Sequence, residues 1–297
     1  MRDFTEGGYY AYDVIYRNLI QGIIDHGRVR EDRTGIGTLS MFGASYHFNF
    51  LTIDEKTFSY PLLQLKNTHL KSVAEELFWM ISGETNVTPL NEKGVTIWDE
   101  WADEFGDLGP IYGAQWRTWR GISIDGDFVE TDQLVSLVDG IKNNPYSRRH
   151  VLSTWNVTDL PDEESSPQAN VSEGKMALAP CHVMIQCYVD NGKLDMLLTQ
   201  RSCDAFLGLP FNTAGYSLFQ IMLALECGLR PGTFHHSIGD LHLYKNHLQA
   251  ASEVLRRHAQ ATPTLTWNGE GLFSPTFEDI VLSDYNPHPS IKVPVAV

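Results

Sequence analysis

Apolar residues recur at helical spacing in several stretches of the chain. Tyr12, Ile15, Leu19, Ile20, Ile23 and Ile24 share one face of a 3.6-residue repeat, with Gly27 just past them. That pattern predicts an amphipathic helix with a glycine stop. Leu70, Val73, Leu77, Met80 and Ile81 predict a second helix, ending at Gly83, and Leu134, Leu137, Val138 and Ile141 a third, stopped by Asn143-Asn144-Pro145. Phe211 to Cys227 is apolar nearly all round and closed by Gly228, which predicts a long buried helix. Leu241 to Ala259, carrying Tyr244, Leu248, Val254 and Leu255, reads as a further helix.

Between these lie segments of period two. Residues 38–50 alternate, with Tyr46, Phe48 and Phe50 on one side and Gly43 at the place of a bulge. Residues 150–155 read as a strand. Residues 182–189 and 193–200 flank Asp190-Asn191-Gly192, a hairpin signal. Asp32-Arg33-Thr34-Gly35 is a polar turn, and residues 158–175, rich in Asp, Glu, Ser and Pro, read as an exposed loop. No repeat, low-complexity tract or linker divides the chain, and strands and helices mix without βαβ regularity. The expectation is one α+β domain over 1–297 with a largely antiparallel or mixed sheet.

Composition narrows the functional classes. The net charge of −15 repels nucleic acid and anionic membranes, so a phosphate-bearing ligand needs a local cluster of arginines. No apolar run approaches the ~18 residues of a membrane span. The N-terminus shows no signal-peptide pattern, so the expected location is the cytoplasm. The four cysteines, Cys181, Cys187, Cys203 and Cys227, form no C-x-x-C pair, and no metal site is expected.

The chemistry concentrates between Ala179 and Asn212. Cys181 follows Pro180 and precedes His182, but adjacent strand residues point to opposite faces, so His182 is badly placed to take the thiol proton as in a papain-like hydrolase. A phosphatase loop needs Arg six positions on, where this chain has Cys187. A guanidinium is what lowers a thiol pKa here, and Arg201 is the nearest through the hairpin. Arg33, Arg148, Arg149 and Arg201 sit in turn or strand-end contexts suited to bidentate phosphate binding. Asn212 is either an N-cap or an amide that reads the edge of a pyrimidine. Of Glu75 and Glu76, one falls near the buried face, where a carboxyl has a raised pKa and can move protons. Trp98 and Trp101 either stack on a flat ligand or fill the core. His242 and Tyr244 either donate to a sugar hydroxyl or open a helix.

Together these motifs resemble the thymidylate synthase family along almost the whole chain. The matching stretches are DRTGIGTLSMFG (32–43), ELFWMISGETN (76–86), TIWDEWADEFGDLGPIYGAQWR (96–117), SRRHVLSTWNV (147–157), MALAPCH (176–182), QRSCDAFLGLPFN (200–212), GDLHLYKNH (239–247) and NPHPSIKVPVAV (286–297). The resemblance implies a single α+β domain, a mixed sheet with flanking helices, and a homodimer formed through the sheet. It implies that Cys181 attacks C6 of dUMP, and that Arg33, Arg201 and Ser202, with Arg148 and Arg149 from the partner subunit, hold the phosphate. Gln200 and Asn212 would contact the uracil, and His242 and Tyr244 the deoxyribose hydroxyl. Glu76, Tyr112 and His182 would serve the proton transfers. The co-substrate implied is 5,10-methylenetetrahydrofolate, against Ile97, Trp98, Trp101, Leu178, Asp204, Leu207, Gly208 and Phe211, with Lys66 and His69 near its glutamyl end and Val297 closing the site. Neither nucleic acid nor membrane is an implied partner.

The chain departs from the family pattern in four places. Gln64-Leu65 stand where the family has Thr-Thr, Thr199 where it has Tyr, and Thr213-Ala214-Gly215 where it has Ile-Ala-Ser or similar. Residues 158–175 carry an acidic insertion. The implied activity is reductive methylation of dUMP to dTMP. Extra room or polarity at Thr213 and Gly215 points to the alternative, a dUMP 5-hydroxymethylase in which water replaces hydride.

Overall fold

The sheet is organised around the turn Asp190-Asn191-Gly192. Asn191 and Gly192 both take positive φ, 48° and 73°, the left-handed geometry that closes a two-residue hairpin without splaying its strands. It joins strands His182–Asp190 and Lys193–Asp204, antiparallel from Asp190↔Lys193 to His182↔Gln200. In this computed structural model residues 2–3, 11–31 and 35–295 are described. Arg33, the Asp32–Thr34 part of the predicted polar turn, and Val297 lie outside them.

The main sheet runs, in spatial order, Arg2–Asp3, Thr38–Asn49, Arg230–Tyr244, Lys193–Asp204, His182–Asp190 and Val151–Ser153, with Arg28–Arg30 also paired to Thr38–Asn49. It is mixed. Arg230–Tyr244 lies parallel to Lys193–Asp204 and antiparallel to Thr38–Asn49. Parallel neighbours need a crossover, and the long helix Gly208–Glu226 supplies it. One βαβ unit therefore lies within an order that otherwise shows no βαβ regularity. Two smaller sheets, Thr57–Ser59 with Thr264–Trp267 and Ile280–Ser283, and the hairpin Trp119–Ile122/Phe128–Thr131, lie outside it.

Helices Tyr12–His26, Leu70–Ser82 and Gln133–Asn143 form where the periodicity places them. Their starts have identifiable partners. The His69 ring accepts from Ser72 N–H, Asp132 accepts from Val135 N–H, and the buried Asp13 carboxylate accepts from Gln64 N–H and Gln260 N–H. Burial still pushes Asp13 upward in pKa against these bonds. One apolar cluster extends from Tyr12 to Leu272, with Gly208–Glu226 buried along most of its length.

Three expectations need correction. Residues 241–244 are the end of strand Arg230–Tyr244. The helix begins at Leu248 and ends at Arg256, after a 3-10 turn at Lys245–His247. Alternation of Leu241 and Leu243 on a sheet passes for the start of a helical repeat when both precede a true helix. Gly43 takes φ +81°, but the pairing stays in step across it, from Ile238↔Ala44 to Asp240↔Phe42, so there is no bulge. Residues 158–175 are not a plain exposed loop. Pro167–Ser172 is helical, capped by Ser166, and Asn170 is buried with its amide held by the Asp162 and Ser166 carbonyls.

The segment leading into the site is held by a second chain crossing. Ala177 N–H donates to the Leu108 carbonyl at 2.9 Å, and Gly109 takes φ +68° directly against Lys175. A methyl group there would collide with the Lys175 carbonyl oxygen, which is backbone and cannot turn aside. Gly109→Ala is expected to lower stability by about 3 kcal/mol, combining overpacking with a strained φ. Urea unfolding followed by tryptophan fluorescence checks it, and a midpoint equal to wild type would remove this crossing as a constraint.

Candidate active site

Cys181 sits at the entry to strand His182–Asp190, half-buried at the wall of a cleft of about 530 Å³. Its backbone is fixed on both sides. The amide N–H donates to the Tyr112 phenol oxygen at 2.9 Å, and its carbonyl accepts from Arg201 N–H at 2.9 Å. Arg201 reaches back from the neighbouring strand. Its Nε–H donates to Pro180 O at 3.0 Å and its NH2 group to Ala179 O at 2.8 Å, while the guanidinium lies 5.5 Å from the Trp155 ring. Close surroundings push the thiol above its ordinary pKa, and the Arg201 charge pulls it back.

His182, next in sequence, is wedged between Tyr112 (ring centroids 5.2 Å) and Tyr216 (5.0 Å). Burial lowers its pKa to about 4, so it is neutral at pH 7, and among the described atoms its Nδ1 has no partner. Burial and Arg201 are the influences acting on the thiol; His182 is not among them.

Glu75 and Glu76 divide the roles left open by the sequence. Glu75 is buried and paired with Lys93 at 2.6 Å. Glu76 accepts from Trp98 Nε1–H at 2.9 Å, and desolvation raises it to about 7 against that bond. Trp98 touches Trp101 edge-on at 5.7 Å and Tyr112 at 6.0 Å. Tyr112 opens a short helix, Tyr112–Arg117, and its phenol is pushed far upward by burial.

Asn212 lies inside the first turns of helix Gly208–Glu226, not at its cap. Its Oδ1 accepts from Gln200 Nε2 at 3.0 Å. The turn before that helix is held by Asp204, whose carboxylate accepts from Phe206 N–H and Leu207 N–H. Leu207, Gly208 and Phe211 are half-buried at the helix start.

The cleft gathers Trp101, Leu178, Ser202, His242 and Tyr244 with Cys181 and Arg201. His242 and Tyr244 meet edge-on at 5.2 Å. His242 bonds Asp240 at 3.2 Å, and Ser40 donates to the same carboxylate at 2.7 Å. Burial opposes ionisation of Asp240, but these bonds and the Arg30 charge hold it below the usual carboxylate range.

Other residues singled out from the sequence are elsewhere. Lys66 is buried, 5.0 Å over the Phe206 ring, with its pKa lowered to about 8 by burial against the Asp204 charge. Ile97 is 38% exposed, and His69 caps a helix. Arg148 and Arg149 are exposed on the turn before Val151–Ser153 and do not line the cleft. Sequence reasoning missed Arg30 and Asp240, and it missed that Asp162, Glu163 and Asn170 form part of the cleft wall. The acidic run was legible, its position was not. Among the described residues no group of three or more His, Cys, Asp or Glu is placed to hold a metal ion, and no helix is long and apolar enough to cross a membrane.

Chemically, the arrangement offers a thiol beside a guanidinium, a carboxyl poised near neutrality and an amide with protons to donate. Iodoacetamide modification of Cys181 is expected to keep rising with pH above 9. Arg201→Met raises the thiol further and slows modification at pH 8, by about tenfold for each unit of pKa. Mass spectrometry of the Cys181 peptide measures it, and a faster Arg201→Met reaction would contradict the assigned charge effect. The family model described as thymidylate synthase matches residues 14–297.

Proposed function

The chain belongs to the thymidylate synthase family, and on that premise we propose that it converts dUMP to dTMP with 5,10-methylenetetrahydrofolate. The reading rests on covalent catalysis. The Cys181 thiolate adds to C6 of the uracil, which makes C5 a nucleophile for the one-carbon unit. C5 then loses its proton, and the Cys181–C6 bond breaks when the methyl group is complete. The folate supplies the methylene and the hydride, leaving as dihydrofolate.

The residues take distinct parts. Arg201 favours the thiolate and, with three N–H donors beyond its two backbone bonds, faces the phosphate with Ser202. Asn212 reads the uracil edge, His242 and Tyr244 hold the sugar hydroxyl, and Glu76 and Tyr112 move protons at the ring. The edge-on pair Trp98 and Trp101, beside Leu178, suits a flat pterin. By the family pattern Leu207, Gly208, Phe211 and Ile97 would extend that surface, with Lys66, His69 and Asp204 toward the tail and Val297 as the closing residue.

The cleft lining carries Arg30 and Arg201 against Glu31, Asp162, Glu163 and Asp240, a poor match for a dianionic phosphate. Arg33 and a partner subunit's Arg148 and Arg149 would correct it. A homodimer through the sheet is supported by the half-open face opposite the helices, where Tyr188 is 59% and Phe42 85% exposed.

Hydride rather than water is supported by the place of Thr213. Its hydroxyl is fully buried, bonded to Tyr12, Tyr46 and the Leu209 carbonyl, and so is not offered to a water at the ring. The hydroxymethylase reading draws on Gly215, which is half-buried. A Cβ there would meet only Val73, at 3.7 Å.

Mixing the protein with dUMP and 5,10-methylenetetrahydrofolate is expected to give the absorbance rise of dihydrofolate and a product with the mass of dTMP. A product one oxygen heavier, with no rise, would establish the hydroxymethylase instead. Cys181→Ser is expected to abolish turnover, and retained turnover would end the covalent mechanism.

The pH profile follows from Glu76. Its carboxylate form accepts protons, so kcat/KM falls as pH drops through about 7. Glu76→Gln removes that limb and lowers kcat by about 10²-fold or more. An unchanged acid limb would assign it to another group.

A further inference from the structure

Behind Asn212 the interior holds a continuous polar chain. Gln200 Nε2 donates to Asn212 Oδ1 at 3.0 Å and to the Ser202 carbonyl at 2.9 Å. Gln200 Oε1 faces His236 Nε2 at 2.9 Å, His236 Nδ1 faces the Tyr46 hydroxyl at 2.8 Å, and Tyr46 meets the Thr213 hydroxyl at 2.6 Å. Tyr12 joins Thr213 at 2.8 Å. Gln200, His236, Tyr46, Thr213 and Tyr12 are all at most 2% exposed. Thr213, one of the departures from the family pattern, is thus absorbed into this chain and kept from the ligand.

The donor sense along the chain is determined from one end. The Ser202 carbonyl accepts and cannot donate, so the Gln200 atom facing it is the amide nitrogen. Gln200 Oε1 therefore takes a proton from His236 Nε2, which leaves His236 Nδ1 as an acceptor for the Tyr46 hydroxyl. Tyr46 thus commits its proton to His236, while Thr213 gives its own to the Leu209 carbonyl and accepts from Tyr12. His236 stays neutral, as this tautomer requires, because burial drives its pKa down to about 3.

We propose that His236 and Tyr46 are positioning residues that, through Gln200, hold the Asn212 amide in the one orientation that selects uracil over cytosine. The inference rests on the dUMP-binding site proposed above. An asparagine amide can turn over at little cost when nothing behind it objects, and either end then serves either base. Here a turned amide would set its NH2 group against the NH2 group of Gln200. With Oδ1 held by Gln200, the Nδ2 protons remain for the ligand. Uracil offers a carbonyl oxygen at C4, which accepts them, whereas cytosine offers an amino group, which does not. Loss of the His236 donor leaves Gln200 Oε1 buried and unpaired, so Gln200 shifts and the lock loosens.

The test is calorimetric titration of the full-length protein with dUMP and dCMP separately. Wild type is expected to prefer dUMP. In His236→Phe the ratio of the two Kd values is expected to fall about tenfold, the scale of one buried hydrogen bond. Tyr46→Phe removes little volume and should move the ratio the same way by less. It decides the matter should His236→Phe not fold. His236→Gln, whose amide can both donate to Gln200 and accept from Tyr46, should restore the ratio. A role in stability alone would weaken both ligands equally. An unchanged ratio in the folded variants overturns the proposal and leaves the dUMP site standing. A wild type that binds neither nucleotide overturns the site itself, and this inference with it.

Discussion

Arg201 ties the whole site to the sheet. Its backbone N–H holds the Cys181 carbonyl, and its side chain holds the carbonyls of Pro180 and Ala179. The Ala179-Pro180-Cys181 segment, which Tyr112 also holds at the Cys181 N–H, is thereby fixed against a strand at the centre of a mixed sheet. The same guanidinium supplies the positive charge beside the thiol. Position and reactivity of the candidate nucleophile thus both draw on Arg201, whose place depends on the hairpin register set at Asn191-Gly192.

Around that fixed point the protein sorts its ionisable groups by how much water they lose. His182 and His236 are held neutral, Glu76 is brought near neutrality, and Tyr112 is kept protonated, in each case chiefly by burial. Asp240 goes the other way because His242, Ser40 and Arg30 surround it. Desolvation costs a charged form several kcal/mol unless partners offset it. The difference between Glu76, with one indole donor, and Asp240, less deeply buried and with several partners, follows from both burial and partners.

Much of the fold was legible in the residues. The helices starting at Tyr12, Leu70 and Leu134 follow from apolar residues every three to four positions, and the central hairpin from Asn-Gly between alternating segments. Strand Arg230–Tyr244 was not legible, because Leu241 and Leu243 lead directly into a helix. The candidate nucleophile, the guanidinium nearest to it and the candidate pyrimidine-reading amide were named from spacing and resemblance. Asp240, Arg30 and the acidic wall at Asp162 and Glu163 carried no local signal, since what brings them to the cleft is pairing between distant strands and a loop folding back across Leu108.

The sequence by itself determined the types and order of the reactive groups and the elements with strong periodicity, because local spacing and local turn chemistry depend on neighbours along the chain. Only the tertiary structure decided which of two adjacent glutamates is paired and which is poised. It decided that Lys66 is buried over Phe206 and that Thr213 faces inward. It also decided that a donor-ordered chain from Tyr46 to Gln200 stands behind Asn212. Those outcomes depend on which distant atoms share a low-dielectric interior, and hydrogen-bond direction there is settled by partners brought from across the sheet.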